Sequence, residues 1–337
     1  MPVHGASRVE RTERLAPRRT RLSSKLVSAP RSSQQGPPRP PSPLVELGTR
    51  WSALESCLAQ AGRGSPNAVH RARVASRRLR EALPVFGEPA GPRRLRAATR
   101  LVRRVTRALG SVRELDVALS LLAELSELAG PSKALGVAVR EVRKLVKATR
   151  ADRRAEMAKR LSPQFVFDVT TRVRAVLERL ASTPGQPAWQ MRLDRRLVRR
   201  ASQLDDALRA ETSCPEASRG LGLGELHEVR IAVKKLRYVL EIAGASRLVA
   251  TMKRTQDGLG RLHDLEILLE FILRVERGVG LGAVGRVGML DLRRLVEKQC
   301  ERELSRHVRR RQGLLAARIA AVALATEPRK GARPPRI

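Results

Sequence analysis

The sequence predicts an all-α protein built as two related helical bundles, and three observations carry that prediction. A helix sequence occurs twice: His70-Arg71-Ala72-Arg73-Val74-Ala75-Ser76-Arg77-Arg78-Leu79-Arg80 returns as His227-Glu228-Val229-Arg230-Ile231-Ala232-Val233-Lys234-Lys235-Leu236-Arg237. Both copies fit H-x-x-R-[VI]-A-x-[KR]-[KR]-L-R. From Leu44 onward, apolar residues recur at helical spacing, punctuated by Pro and Gly, and no alternating strand pattern intervenes. Only seven of the 337 residues are Phe, Trp or Tyr, so Ala, Leu and Val must build the core, which suits packed helices. The duplication points to two copies of one structural unit, arranged as two antiparallel bundles about a pseudo-twofold axis.

Taken in order, residues 1–43 hold eight prolines, nine Lys/Arg and two acids, and read as a disordered basic tail. Helices are expected over 44–61 and 66–86, the second bent or ended at Pro84. Further helices follow over 93–109, 112–129, 132–160, 163–182 and 188–211. The remainder are expected over 223–243, 246–259, 262–278, 286–312 and 314–325. The helical region 44–325 divides into halves of about 44–185 and 186–325, and 326–337 is a second basic tail.

A second element also recurs. Leu109-Gly110 followed by Val112-Arg113-Glu114-Leu115-Asp116 matches Leu259-Gly260 followed by Leu262-His263-Asp264-Leu265-Glu266. Glycine followed by acids reads as a helix end and a restart. Glu114 and Asp264 then serve as dipole partners or as ion-pair partners that hold a neighbouring arginine; the alternative is a metal or catalytic carboxylate, for which one acid per copy without clustered ligands makes poor chemistry.

The repeated helix is cationic on one face. With His70 at 0°, Arg77 falls about 20° away, Arg73 about 60° and Arg80 about 80°, all to one side, while Leu79 lies opposite. His227, Arg230, Lys234 and Arg237 repeat the stripe, with Tyr238 beside them. Surface helices usually mix signs at i,i+4. A stripe of like charges without an acid calls for a counter-anion, and its length of roughly 15 Å suits an extended polyanion.

Lys and Arg number 68 against 33 Asp and Glu, a formal charge of +35, of which +25 remains after both tails are removed. A polyanion partner follows from that excess. The scarcity of aromatics works against single-strand nucleic-acid binding, which stacks bases on rings. Cys57, Cys214 and Cys300 are far apart and show no metal spacing, the pattern of reduced thiols in a cytosolic protein. No secretory signal and no membrane span are evident.

The paired motifs resemble the CHAD family (conserved histidine α-helical domain) over roughly residues 44–320, the tract Lys235-Leu236-Arg237-Tyr238-Val239-Leu240-Glu241 looking like the family's second histidine helix. The resemblance implies two helical bundles around a basic central cavity, inorganic polyphosphate as ligand, and association with polyphosphate-rich bodies. By motif position, the residues carried over are His70, Arg73, Arg77, Arg78 and Arg80, then His227, Arg230, Lys234, Lys235 and Arg237. Glu114 stands where the family often has Asp, as this chain does at Asp264. Family members are often fused to a CYTH triphosphatase domain marked by E-x-E-x-K. The nearest tract here, Glu301-Arg302-Glu303-Leu304-Ser305, lacks the lysine.

The expected function is therefore non-catalytic polyphosphate binding in the cytoplasm, at polyphosphate granules, without cofactor or metal. Arg100, Arg103, Arg104, Arg107, Lys253 and Arg254 are candidates for widening the basic surface. Protonation of His70 and His227 would strengthen binding. Two rival readings remain. One is a backbone-contacting nucleic-acid binder, which the charge permits. The other is an enzyme acting on phosphate compounds, which lacks a phosphate-binding G-x-x-x-x-G-K-[ST] loop and clustered carboxylates for a metal.

Overall fold

The structure is a computed structural model, and it describes residues 42–183, 188–213, 223–278 and 280–326. Both tails predicted from the sequence lie almost wholly outside the described residues, as does Cys214. The described residues form nine α-helices and no strand: α1 (Pro43–Gly62), α2 (Pro66–Phe86), α3 (Pro92–Leu128), α4 (Lys133–Arg160), α5 (Pro163–Ala181), α6 (Ala188–Ser213), α7 (Leu223–Ile242), α8 (Ser246–Gly278) and α9 (Ala283–Thr326). A single 3-10 turn, Glu88–Ala90, links α2 to α3.

Proline and serine set the starts. Pro43, Pro66, Pro92 and Pro163 sit in the first turns of α1, α2, α3 and α5, where the missing N–H has no intrahelical acceptor to lose. Ser132 and Ser162 cap α4 and α5, their hydroxyls accepting from Leu135 N (3.2 Å) and Phe165 N (3.3 Å). Pro84 removes one backbone donor, and α2 ends two residues later, where Gly87 N–H donates to Leu83 O at 2.8 Å.

Three expected breaks are absent. α3 runs unbroken through Gly110, α8 through Gly260, and α9 through Gly313. A helix-interior glycine costs only about 1 kcal/mol relative to alanine. A 37-residue helix such as α3, packed along its length, absorbs that cost. Glu114 and Asp264 consequently lie mid-helix and do not cap a new one.

The helices pack as expected for a core of small aliphatic residues. Leu47, Leu54, Leu79, Leu109, Leu122 and Leu193 are fully buried, and Phe86 meets Trp189 with ring centroids 5.4 Å apart. Each such leucine contributes roughly 1.5–3 kcal/mol by leaving water. α2 packs between α1 and α3, and α7 between α6 and α8; α2 also touches α7, and α3 touches α8. α4 packs along both α3 and α9. Its approach to α9 is close at Gly285 and Gly288, where a β-carbon at Gly288 would overlap the carbonyl of Ala134 and stand 2.9 Å from Leu135 N.

Charged side chains also position the helices. Glu81 of α2, 5% exposed, accepts from Arg196 Nη2 (2.7 Å) and from Arg200 Nη2 (2.9 Å) of α6. This buried carboxylate between two guanidiniums fixes α2 against α6.

Candidate functional site

The contact between α2 and α7 puts the two repeated faces on one cavity of about 650 Å³, walled further by α3 and α8. Its lining includes nine Lys/Arg side chains against three Asp/Glu, so cations outnumber acids around it threefold. Arg73 and Arg77 enter from α2, Arg230 and Lys234 from α7, Glu114 from α3 and Asp264 from α8.

Arg73 is held from two sides. Its Nη1 donates to Thr106 O (3.5 Å) and its Nη2 lies 3.4 Å from Glu114 Oε1. Thr106 Oγ1 also bonds Ser76 Oγ at 3.0 Å, fixing α3 to α2. The guanidinium fits because residue 110 is glycine: a β-carbon there would stand 3.1 Å from Arg73 Nη1. In the first copy, Gly110 therefore makes room for an arginine instead of ending a helix. Burial, and then Arg77, push Arg73 down to about 10, with Glu114 opposing. The group remains charged at neutral pH.

Arg230 and Lys234 have less compensation. Arg230 Nε is buried without a hydrogen-bond partner among the described residues. Burial lowers its pKa, and Asp264 opposes that. Lys234 is 9% exposed, and its amine is driven down to about 6, first by burial and then by Arg230, Arg77 and Arg73. Asp264 is pushed up by burial, against the pull of Arg230.

A stability consequence follows for Lys234. The folded-state pKa lies below the unfolded value, so the unfolded chain binds more protons between the two and stability rises with pH across that window. Lys234→Met keeps the side-chain length and removes the charge. It is expected to stabilise the protein by at least about 1 kcal/mol at neutral pH. The gain is full below a pH of about 6 and gone near 10.5. Urea unfolding across this range checks it, and a variant less stable than wild type at the acid end would refute the assignment.

Other residues expected from the sequence divide by position. His70 is exposed and lines the cavity, its pKa lowered by burial and then by Arg113, Arg73 and Arg77. Arg78 and Arg237 line the cavity but share Glu241, with Arg78 Nε 2.8 Å from Glu241 Oε2. Arg237 also donates to Gln256 Oε1 (2.8 Å) and covers the Tyr238 ring at 4.3 Å. Lys253 lines the cavity while paired with Asp257 at 2.7 Å.

The remaining candidates are outside the lining. His227 packs on His263 of α8, centroids 5.2 Å apart, and burial, His263 and Arg230 lower its pKa. Arg80 and Lys235 sit near Glu81 and Arg200, where burial lowers both. Arg100, Arg103 and Arg107 are exposed on α3, and Arg104 stacks 4.6 Å over the Phe165 ring. Arg254 lines a separate cavity on another face of α8.

Sequence reasoning missed Arg113 and Arg261 as cavity residues. Arg113 precedes Glu114 and shares its approach to α2, a signal legible once α3 is continuous. Arg261 corresponds to Ser111 in the other repeat, so comparing the copies could not reveal it. Its guanidinium pairs with Glu124 at 2.6 Å. Among the described residues, no group of three or more His, Cys, Asp or Glu side chains is placed to hold a metal ion. No described helix is long and apolar enough to cross a membrane.

Comparison with known proteins places this architecture. The crystal structure of the CHAD domain from the plant Ricinus communis is similar, at 23% identity and a TM-score of 0.54, over 83% of this chain and 91% of that one. PptA from Streptomyces chartreusis is also similar, at 15% identity and a TM-score of 0.56, over 80% of this chain and 98% of that one. No curated protein gives a significant match. The sequence model of the CHAD domain family matches residues 47–273. With that match over two thirds of its length, and with the helical fold of a solved CHAD domain, the chain belongs to the CHAD domain family.

Proposed function

We propose that this chain is a non-catalytic binding protein for inorganic polyphosphate. The observation that carries the proposal is the convergence of Arg73, Arg77, Arg230 and Lys234, from both copies of the repeated helix, on one cavity. Burial and neighbouring cations lower Arg73, Arg230 and Lys234, and Glu114 and Asp264 compensate only in part. An anionic chain supplies the missing counter-charge, and arginine offers it paired donors. The two helices are read as equivalent elements of repeat halves spanning about 44–185 and 186–325. The same reading places the protein in the cytoplasm, at polyphosphate granules.

Nucleic acid is the weaker reading. The one aromatic side chain among the cavity residues is Tyr238, and Arg237 covers its ring. Bases would find little to stack on.

A competition titration at near-physiological salt tests the proposal. Labelled long-chain polyphosphate is challenged with duplex DNA, RNA and heparin, using wild type and the fourfold variant Arg73→Ala/Arg77→Ala/Arg230→Ala/Lys234→Ala. Preference for polyphosphate that collapses in the variant supports a shaped phosphate site. Equal affinity for every polyanion, unchanged in the variant, would mean that total charge alone accounts for binding.

Binding should also take up a proton. A polyanion beside Lys234 raises its pKa from about 6, so affinity falls as pH rises above that value. The expected decline between about pH 6 and 8 is up to tenfold per unit. His70 and His227, both lowered in the free protein, add to it only toward the acid end. Lys234→Met should flatten the decline, and an identical slope in that variant would exclude Lys234 as the proton acceptor.

A further inference from the structure

The basic surface continues past the cavity. Asp257 and Arg261 of α8 line both the central cavity and a second one of about 290 Å³. At about 100° per residue, the second lies roughly a quarter turn further round α8. Arg254 and Gly258 of α8 form one side of it, and Arg306 and Arg310 reach it from α9.

A buried carboxylate organises this second site. Glu303 of α9 is 4% exposed; its Oε1 accepts from Arg306 Nη1 at 2.6 Å and lies 3.7 Å from Arg261 Nε. It orients two guanidiniums while its charge balances one. Gly258 lets a third approach, since a β-carbon there would stand 3.3 Å from Arg310 Nη1 and 3.7 Å from Glu303 Oε2. Arg310 Nη1 donates to the Arg254 carbonyl at 3.2 Å, and Arg254 Nη2 donates to Thr251 Oγ1 at 3.2 Å. Each guanidinium carries five N–H donors, so both retain donors for a ligand. Arg254, Arg306 and Arg310 are all exposed. The second carboxylate of the site, Asp257, is already paired with Lys253.

We infer that Arg254, Arg306 and Arg310 form a distal phosphate subsite, at which a polyphosphate chain leaving the central cavity past Arg261 is held between α8 and α9. The inference rests on the polyphosphate reading of that cavity and adds a preference for long chains. Arg306 and Arg310 lie beyond residues 47–273, outside the match to the family.

The test compares tripolyphosphate, short enough for the cavity alone, with long-chain polyphosphate. Titrations use the full chain and the variant Arg254→Gln/Arg306→Gln/Arg310→Gln. Glutamine retains a donor for Glu303, and thermal melting verifies the fold. The expected result is a loss of about tenfold for the long chain, with a shallower salt dependence and unchanged tripolyphosphate affinity. Unchanged long-chain affinity, or an equal loss for both ligands, overturns the subsite. The fourfold cavity variant separates the two readings. If it binds both ligands at wild-type strength, the cavity reading fails; if it loses both while the glutamine variant loses neither, only the subsite fails.

Discussion

Alanine at Arg73, Arg77, Arg230 and Lys234 together is expected to weaken long-chain polyphosphate binding by about a thousandfold. Taking about 1 kcal/mol for each phosphate contact gives about 4 kcal/mol in all, and every 1.4 kcal/mol is tenfold. The contacts are not independent. Arg77 and Arg73 lie among the groups that depress Lys234, so removing one relieves the others, and single substitutions should lose less than a quarter of the total each. A charge-matched control distinguishes the site from the overall field. Arg96, Arg140, Arg172 and Arg302 are exposed and outside the cavity lining. Alanine at those four removes at least as much charge, the Lys234 amine being lowered to about 6, and should nevertheless cost far less affinity. Equal losses in the two variants would show that the cavity has no special role.

Gly288→Ala is expected to destabilise the protein by about 3 kcal/mol or more. The new methyl group meets backbone, the Ala134 carbonyl and Leu135 N, which cannot rotate away as a side chain would. α4 and α9 must separate, and α4 also packs on α3 and α8, so the strain spreads into the cavity wall. Helix propensity works in the opposite direction, by about 1 kcal/mol in favour of alanine. Gly313→Ala in the same helix isolates that term, because residue 313 is exposed and nothing lies within 4 Å of its β-carbon position. It should stabilise slightly. Urea unfolding of both variants decides the matter, and a Gly288 variant as stable as the Gly313 variant would mean that the helices are not held so close.

The all-helical class was readable because its signals are local. Pro66, Pro92 and Pro163 mark starts, Gly62 and Gly87 mark ends, and the apolar spacing between them fixes which face turns inward. Gly110 and Gly260 carry the same residue type without the same meaning. A helix end and a close approach both use glycine, and only the neighbour distinguishes them. At Gly110 the neighbour is Arg73, brought in from α2; at Gly260 there is open space beside the cavity.

The sequence by itself determined that two basic helix faces exist, on which like charges at helical spacing repel wherever the helix lies. The tertiary structure decided which of those charges share a site. Arg77 and Arg80 are three residues apart on one stripe, yet the packing of α2 puts Arg77 in the cavity and Arg80 near Glu81 and Arg200. Three of the compensating acids, Glu114 for Arg73, Glu241 for Arg78 and Asp264 for Arg230, come from other helices than the residues they serve. The field at a buried amine such as Lys234 is the sum over every charge around it; Arg230 shares its helix, but Arg77, Arg73 and Asp264 come from α2 and α8, and their part exists only once those helices have packed.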